Sequence, residues 1–186
     1  MYVMLMLAMG CGGNTPKKND SVESAEKANE QKMDNTANEK KEDDANFAVE
    51  AANGGMFEVK MGEYAAKNAH DAAIRKLGQM MVDDHSKLNE ELRGLCAKKN
   101  ITLPDHMDGS MQETYDKLIS YKGHEFDKEY SDEMVSDHKK DIDKFEKESK
   151  DGNDSDLRKW AEDKLPTLRH HLEMSKRDEK MEDKKK

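Results

Sequence analysis

The apolar residues Ile74, Leu77, Met81, Leu88, Leu92 and Leu95 recur at intervals of three and four, the period of one face of an α-helix. A strand cannot gather such a set on one side, because its successive side chains alternate between faces. One position on this stripe is not apolar: His85 stands where a hydrocarbon side chain belongs. A buried ring with two nitrogens is tolerated only where something satisfies them. The pentapeptide Met81-Val82-Asp83-Asp84-His85 has a near copy in Met134-Val135-Ser136-Asp137-His138. His138 falls on a second stripe, formed by Phe126, Tyr130, Met134, Ile142 and Phe145.

Two further segments have the same period. Phe47, Ala51, Gly54, Glu58, Met61 and Ala65 mark the face of an earlier helix that breaks at Asn68 to Asp71. Leu157, Trp160 or Ala161, Leu165, Leu168, His171 or Leu172, and Met174 mark a last one, which contains Pro166 and should bend there. A shorter helix is expected over Asp108 to Tyr121, with Pro104 before it and Gly123 after it. The expectation is an all-α fold: an up-down-up-down four-helix bundle with an extra short helix between helices two and three. Composition agrees, since 39% of residues are charged, 34% are hydrophobic and only three are proline. The formal net charge of -9 argues against nucleic acid as the partner.

Residues 1–10 are uncharged and run through Val3, Leu5 and Leu7 into Cys11, a stretch too short to span a bilayer as a helix. They read as an export signal, and Ala8-Met9-Gly10-Cys11 resembles a lipobox that would make Cys11 the lipidated residue. Its leucine lies one residue further from the cysteine than the consensus places it, and no basic residue precedes it. Residues 11–44 then read as a lipidated cysteine and a disordered polar tether, 45–182 as the bundle and 183–186 as a basic tail. The expected partner is a membrane, reached through the lipid. The expected location is the cell envelope, at the outer membrane and facing the periplasm, because Gly12 rather than Asp follows Cys11. Cys96, beside Leu92 and Leu95, is expected to be a core thiol with no disulfide partner.

Glu58, His85, His138 and His171 come from four different stripes. Helical rise places Glu58 and His85 roughly 15 to 22 Å from the link between their helices, hence level with one another. His138 matches His85 in depth, and His171 matches less closely. One carboxylate and three imidazoles in a core suit a single transition-metal ion: zinc, iron, copper or nickel. Met61, Met81, Met134 and Met174 lie one turn away, with Met61 and Met81 expected on one side of the histidine layer and Met134 and Met174 on the other. They read as core filling rather than as copper ligands. Asp84 and Asp137 point about 100° away from their histidines and read as surface or interhelical ion-pair residues, with a supporting role behind the histidines as the minor alternative. His70, His106, His124 and His170 read as solvated. The residues three before His85, His138 and His171 are Val82, Val135 and Leu168, so the Glu-Xaa-Xaa-His pairs of di-iron oxidases are missing.

Phe57-Glu58-Val59 with Gly62, the Met81 to His85 motif, Phe126-Asp127 with Tyr130, His138, Leu165-Pro166 and His171-Leu172 together resemble the bacterial family known as domain of unknown function 4142. The resemblance covers about Phe47 to Ser175. It implies an envelope protein with a ferritin-like four-helix fold, recurrent polar positions at Glu58, His85, His138 and His171, and no established activity. Two roles follow. One is a tethered bundle that binds a metal ion for storage, sensing or stress protection. The other is a structural or protein-interaction lipoprotein without metal, whose histidines are core residues only. The twin pentapeptides lie on helices two and three, so they are read as similar burial at matching depth rather than as a duplicated hairpin.

Overall fold

A computed structural model describes residues 20–33 and 39–184. The described residues form six helices and no strand: α1 (Ser21–Met33), α2 (Glu39–Asn68), α3 (Ala72–Lys99), α4 (Gly109–Ser120), α5 (Gly123–Asp151) and α6 (Ser155–Asp183). Cys11, the export signal and residues 185 and 186 of the tail lie outside the described residues.

The helix ends follow local chemistry. Asp71, Asp108 and Asp154 cap α3, α4 and α6, each accepting from backbone N–H groups of its first turn. Asn100 takes the left-handed conformation at φ 57° to end α3, and Lys98 and Lys99 lie at the negative end of its dipole. α6 runs without interruption through Pro166.

α2 packs along α3, and α5 along α6, as two antiparallel pairs. In the first pair the backbones nearly touch. A Cβ on Gly78 would stand 2.7 Å from Ala66 N and 2.8 Å from the Gly62 carbonyl oxygen, so only glycine permits this approach. The two pairs use matching contacts at their links. Asp127 of α5 accepts from His70 N at 2.9 Å and Asp71 N at 2.6 Å. Asp44 of α2 accepts from Asn153 N at 2.8 Å and Asp154 N at 2.6 Å. Arg75 donates to the Ala69 and His70 carbonyls, and Arg158 to the Gly152 carbonyl. The same stretch of chain separates Asp44 from Asp127, Asp71 from Asp154 and Arg75 from Arg158. A hairpin repeat therefore exists, carried by these capping residues; the twin pentapeptides are not equivalent positions within it.

The contacts correct the up-down-up-down order. Asp127 near the start of α5 meets the start of α3, while Lys99 at the end of α3 pairs with Asp154 and Asp156 at the start of α6. α3 and α5 thus run in the same direction, and the chain crosses the length of the bundle between them. A short link would have reversed it. Here α4, roughly 18 Å long at 1.5 Å per residue, and the extended segment from Asn100 to Asp108 return the chain along an α3 of roughly 42 Å. α4 lies against α2 and α5, with Lys60 donating to Gln112 and Tyr64 to the Ile119 carbonyl.

The tether expectation also changes. α1 lies inside that stretch, and α2 begins before its end. α1 docks on the Asn100 to Asp108 segment through polar groups: Asn29 donates to the Thr102 carbonyl at 2.9 Å and accepts from Thr102 N at 2.7 Å, and Ser21 both donates to Asp105 and accepts from its N–H. Ala25 is a buried apolar residue of α1. Apolar periodicity carries no trace of an attachment made this way.

Candidate metal centre

Two apolar clusters fill the bundle. One holds Leu88, Leu92, Phe145, Trp160 and Leu168, the other Phe57, Met61, Met81, Tyr130 and Met134. Between them lies a polar layer. Glu58 from α2, His85 from α3, His138 from α5 and His171 from α6 meet there, each at most 3% exposed. The hairpin pairing sets α2 beside α3 and α5 beside α6, and each residue is near the middle of its helix, so all four arrive at one level.

The hydrogen bonds around the layer fix its chemistry. His138 Nδ1 donates to the Met134 carbonyl at 3.0 Å; a carbonyl cannot donate, so His138 Nε2 presents a lone pair inward. His171 Nε2 donates to Asp84 Oδ2 at 3.0 Å, which leaves His171 Nδ1 likewise unprotonated. These two lone pairs face each other at 3.2 Å. Glu58 Oε1 lies 3.3 Å from His138 Nε2 and has no hydrogen-bond partner. His85 completes the ring, with Nε2 at 3.1 Å from His171 Nδ1 and Nδ1 at 2.7 Å from Glu58 Oε2. Acceptors thus converge on one point, and the protons left to share among them are those of the Glu58–His85 pair.

Electrostatics acts in the same direction. Burial pushes His85 and His171 down to about 4 and His138 well below the usual imidazole range, so all three rings are neutral at neutral pH. Burial, with the Asp137 charge adding to it, raises Glu58 well above the ordinary carboxylate range. Without a cation the raised Glu58 carboxyl favours its protonated form, which can donate a hydrogen bond to His85. A cation would displace that proton and leave a carboxylate and three neutral imidazoles. The spacing fits one. Tetrahedral ligands at about 2.0–2.1 Å from an ion stand about 3.3 Å apart, and the contacts here are 3.1, 3.2 and 3.3 Å.

Residues 27–177 match the family described as Domain of unknown function (DUF4142). The chain belongs to that family. No curated protein and no solved structure matches it. The DUF4142 match begins within α1, upstream of Phe47, where the resemblance read from the sequence begins.

In this DUF4142 chain the four residues singled out from sequence come together, but not as equals. The inward nitrogens of His85, His138 and His171 form the converging set, whereas Glu58 holds His85 with one oxygen and reaches His138 with the other. Asp84 pairs with Lys87 at 3.7 Å and also takes the supporting role read from the sequence as the minor alternative, orienting His171. Its 100° offset from His85 on α3 is what aims it at α6. Asp137 is corrected: it is buried, with Oδ2 unpartnered. The methionine layout also changes. Met61, Met81 and Met134 share one apolar cluster, and Met174 packs against it, because α3 and α5 run parallel and bring all four to the same side. Cys96 is buried, and burial pushes its thiol up to about 12, as befits a core residue.

His70, His106, His124 and His170 are exposed, as expected. His70 and His124 nevertheless lie against each other, with ring centroids 4.1 Å apart and planes tilted by 46°, beside the buried Asp127. Both Asp127 oxygens already accept backbone N–H groups, so this group serves the α2–α3 link.

Proposed function

We propose that this protein is an envelope-tethered lipoprotein that holds one transition-metal ion in its helical core. His85 Nε2, His138 Nε2 and His171 Nδ1 would be its ligands, and Glu58 Oε1 would complete the set. The observation that carries the reading is the meeting of His138 Nε2 and His171 Nδ1, lone pair to lone pair, at 3.2 Å in a buried site. Two acceptors at that distance repel unless a cation lies between them, and the groups behind the rings, Met134 and Asp84, hold them in this state. Three nitrogens and one oxygen suit zinc, iron or copper.

The role is storage, sensing or stress protection. Closure of all four side chains from solvent favours holding an ion over turnover, which needs an open coordination position. The architecture belongs with the ferritin-like bundles, and two antiparallel helix pairs joined by one crossover support that assignment. Cys11 would carry the lipid and anchor the domain at the outer membrane, facing the periplasm.

Elemental analysis of protein purified without a histidine tag tests the metal reading. About one equivalent of metal is expected in the parent chain and little in His85→Ala or His138→Ala. Substoichiometric metal in the parent, with melting unchanged by a chelator, would overturn it. For the anchor, labelled palmitate should be incorporated and should be lost in Cys11→Ser; label that persists in that variant excludes Cys11.

A further inference from the structure

Beside the histidines lies a second group, of which the single-ion reading uses only one member. Glu58, Asp137 and Asp141 bring carboxylate oxygens within 4.8 Å of one another. All three are at least nine-tenths buried, at 1%, 7% and 9% exposed. Glu58 Oε1 and Asp137 Oδ2 have no hydrogen-bond partner. Among the described residues no lysine or arginine nitrogen pairs with any of them; the nearby Lys144 is held by Glu50 at 2.8 Å. Three carboxylates so placed carry up to three negative charges, and one ion among the histidines would answer only Glu58.

Two features direct this group toward a cation rather than toward solvent. Asp141 follows Asp137 and His138 by four and three residues, so it lies on the inward face of α5. Its carboxylate lies over Gly54 of α2, the oxygens 3.6 and 3.8 Å from where a Cβ would stand. Asp141 also occupies the position in the second hairpin that Glu58 occupies in the first, the interval being that of Asp44 to Asp127. Glu58 and Asp141, though not Asp137, line a small cavity of about 10 Å³, together with His85 and Asn89. That is room for about one water molecule or a bare ion.

We infer that Glu58, Asp137 and Asp141 form a second cation site, specific for a hard divalent ion, which shares Glu58 with the three-histidine site and makes the core a two-ion centre. All-oxygen ligation selects the manganese, magnesium and calcium class. Oxygens on opposite sides of such an ion, at bonds of about 2.4 Å, stand about 4.8 Å apart. The sharing of Glu58 rests on the three-histidine reading; the carboxylate site itself does not.

The probe is Mn2+, whose free aqua ion gives a six-line electron paramagnetic resonance signal that is lost on binding. Full-length protein is stripped with a chelator and divided, and one half is reloaded with one equivalent of Zn2+. Both halves are then titrated with Mn2+, and zinc is measured separately. Expected is loss of about one equivalent of free Mn2+ signal in the parent chain, and none in Asp137→Asn/Asp141→Asn, which keeps its zinc. A parent chain that leaves the Mn2+ signal as in buffer, with or without zinc, overturns the site, as does Mn2+ uptake by the double variant equal to the parent's. Protein that takes up Mn2+ but retains no Zn2+ keeps this site and overturns the three-histidine one. Protein that retains Zn2+ and ignores Mn2+ does the reverse.

Discussion

Asp84 offers the sharpest test of how the histidines are organised, because it touches the site without belonging to the converging set. Its Oδ2 accepts the hydrogen bond of His171 Nε2–H at 3.0 Å and so fixes which nitrogen would face a bound ion. Removing such a partner typically weakens metal binding about 10–100-fold, equivalent to about 1.4–2.8 kcal/mol at 1.4 kcal/mol per tenfold. Asp84 is about a third exposed (34%), so water can accept the His171 hydrogen bond in Asp84→Ala, and the lower half of that range is expected. Asp84→Asn keeps an amide oxygen that can accept and should lose less. The metal-free fold loses one hydrogen bond at a wet edge, about 1 kcal/mol. Competition against a zinc chelator of known affinity measures the three constants, and the order should be parent, then Asn, then Ala. Equal affinity in all three would refute the argument that Asp84 sets the state of His171.

The metal-free protein should lose stability as pH rises from about 6.5 to 8.5. Burial raises Asp137 to about 7 and Asp141 to about 8, from 3.8. Their contribution is complete below the unfolded value and is lost as pH climbs through the folded values, at most about 1.4 kcal/mol per pH unit for each proton. The histidines, lowered in the fold, contribute fully above 6.5 and cannot mask this fall. Melting curves in excess chelator read it, and a flat profile contradicts it. Gly78→Ala places a methyl group 2.7 Å from Ala66 N, so denaturant titration should give a loss of about 1–3 kcal/mol. Asp127→Ala and Asp44→Ala each remove two charge-assisted bonds to a helix link, and similar losses of about 2–4 kcal/mol are expected in thermal or urea unfolding. Sharply unequal losses would contradict the equivalence of the two hairpins.

Some of this was legible in the chain itself and some was not. The period of the Ile74 to Leu95 stripe establishes a helix whatever it packs against, because side-chain direction in a helix is a local property. Asp71, Asp108, Asp154 and Asn100 mark helix ends for the same reason. Burial of His85, His138 and His171 follows from their places on apolar stripes, and their common level follows from mid-helix position under either order of the helices. That robustness concealed an error: depth counting cannot tell a parallel α3 and α5 from an antiparallel pair. Methionines off the midline do register the difference. α1 was missed because Asn29 and Ser21 attach it by hydrogen bonds to a loop, a pattern without periodicity.

What only the tertiary structure decided is what meets across helices. Asp84 and Asp137 occupy the same place beside a histidine in the twin pentapeptides, yet one orients His171 and the other is buried among carboxylates. The crossover through α4 decides which helix each of them faces. Glu58 is the same case at the centre of the site: its stripe predicts burial, but its division between His85 and His138 depends on the packing of α2 against two helices at once. A sequence determines which residues lie inside each helix face, because that is set within a few residues of chain. Partners from α2, α3, α5 and α6 are brought to contact distance only by the packing of the whole bundle, and the chemistry of the centre resides in those contacts.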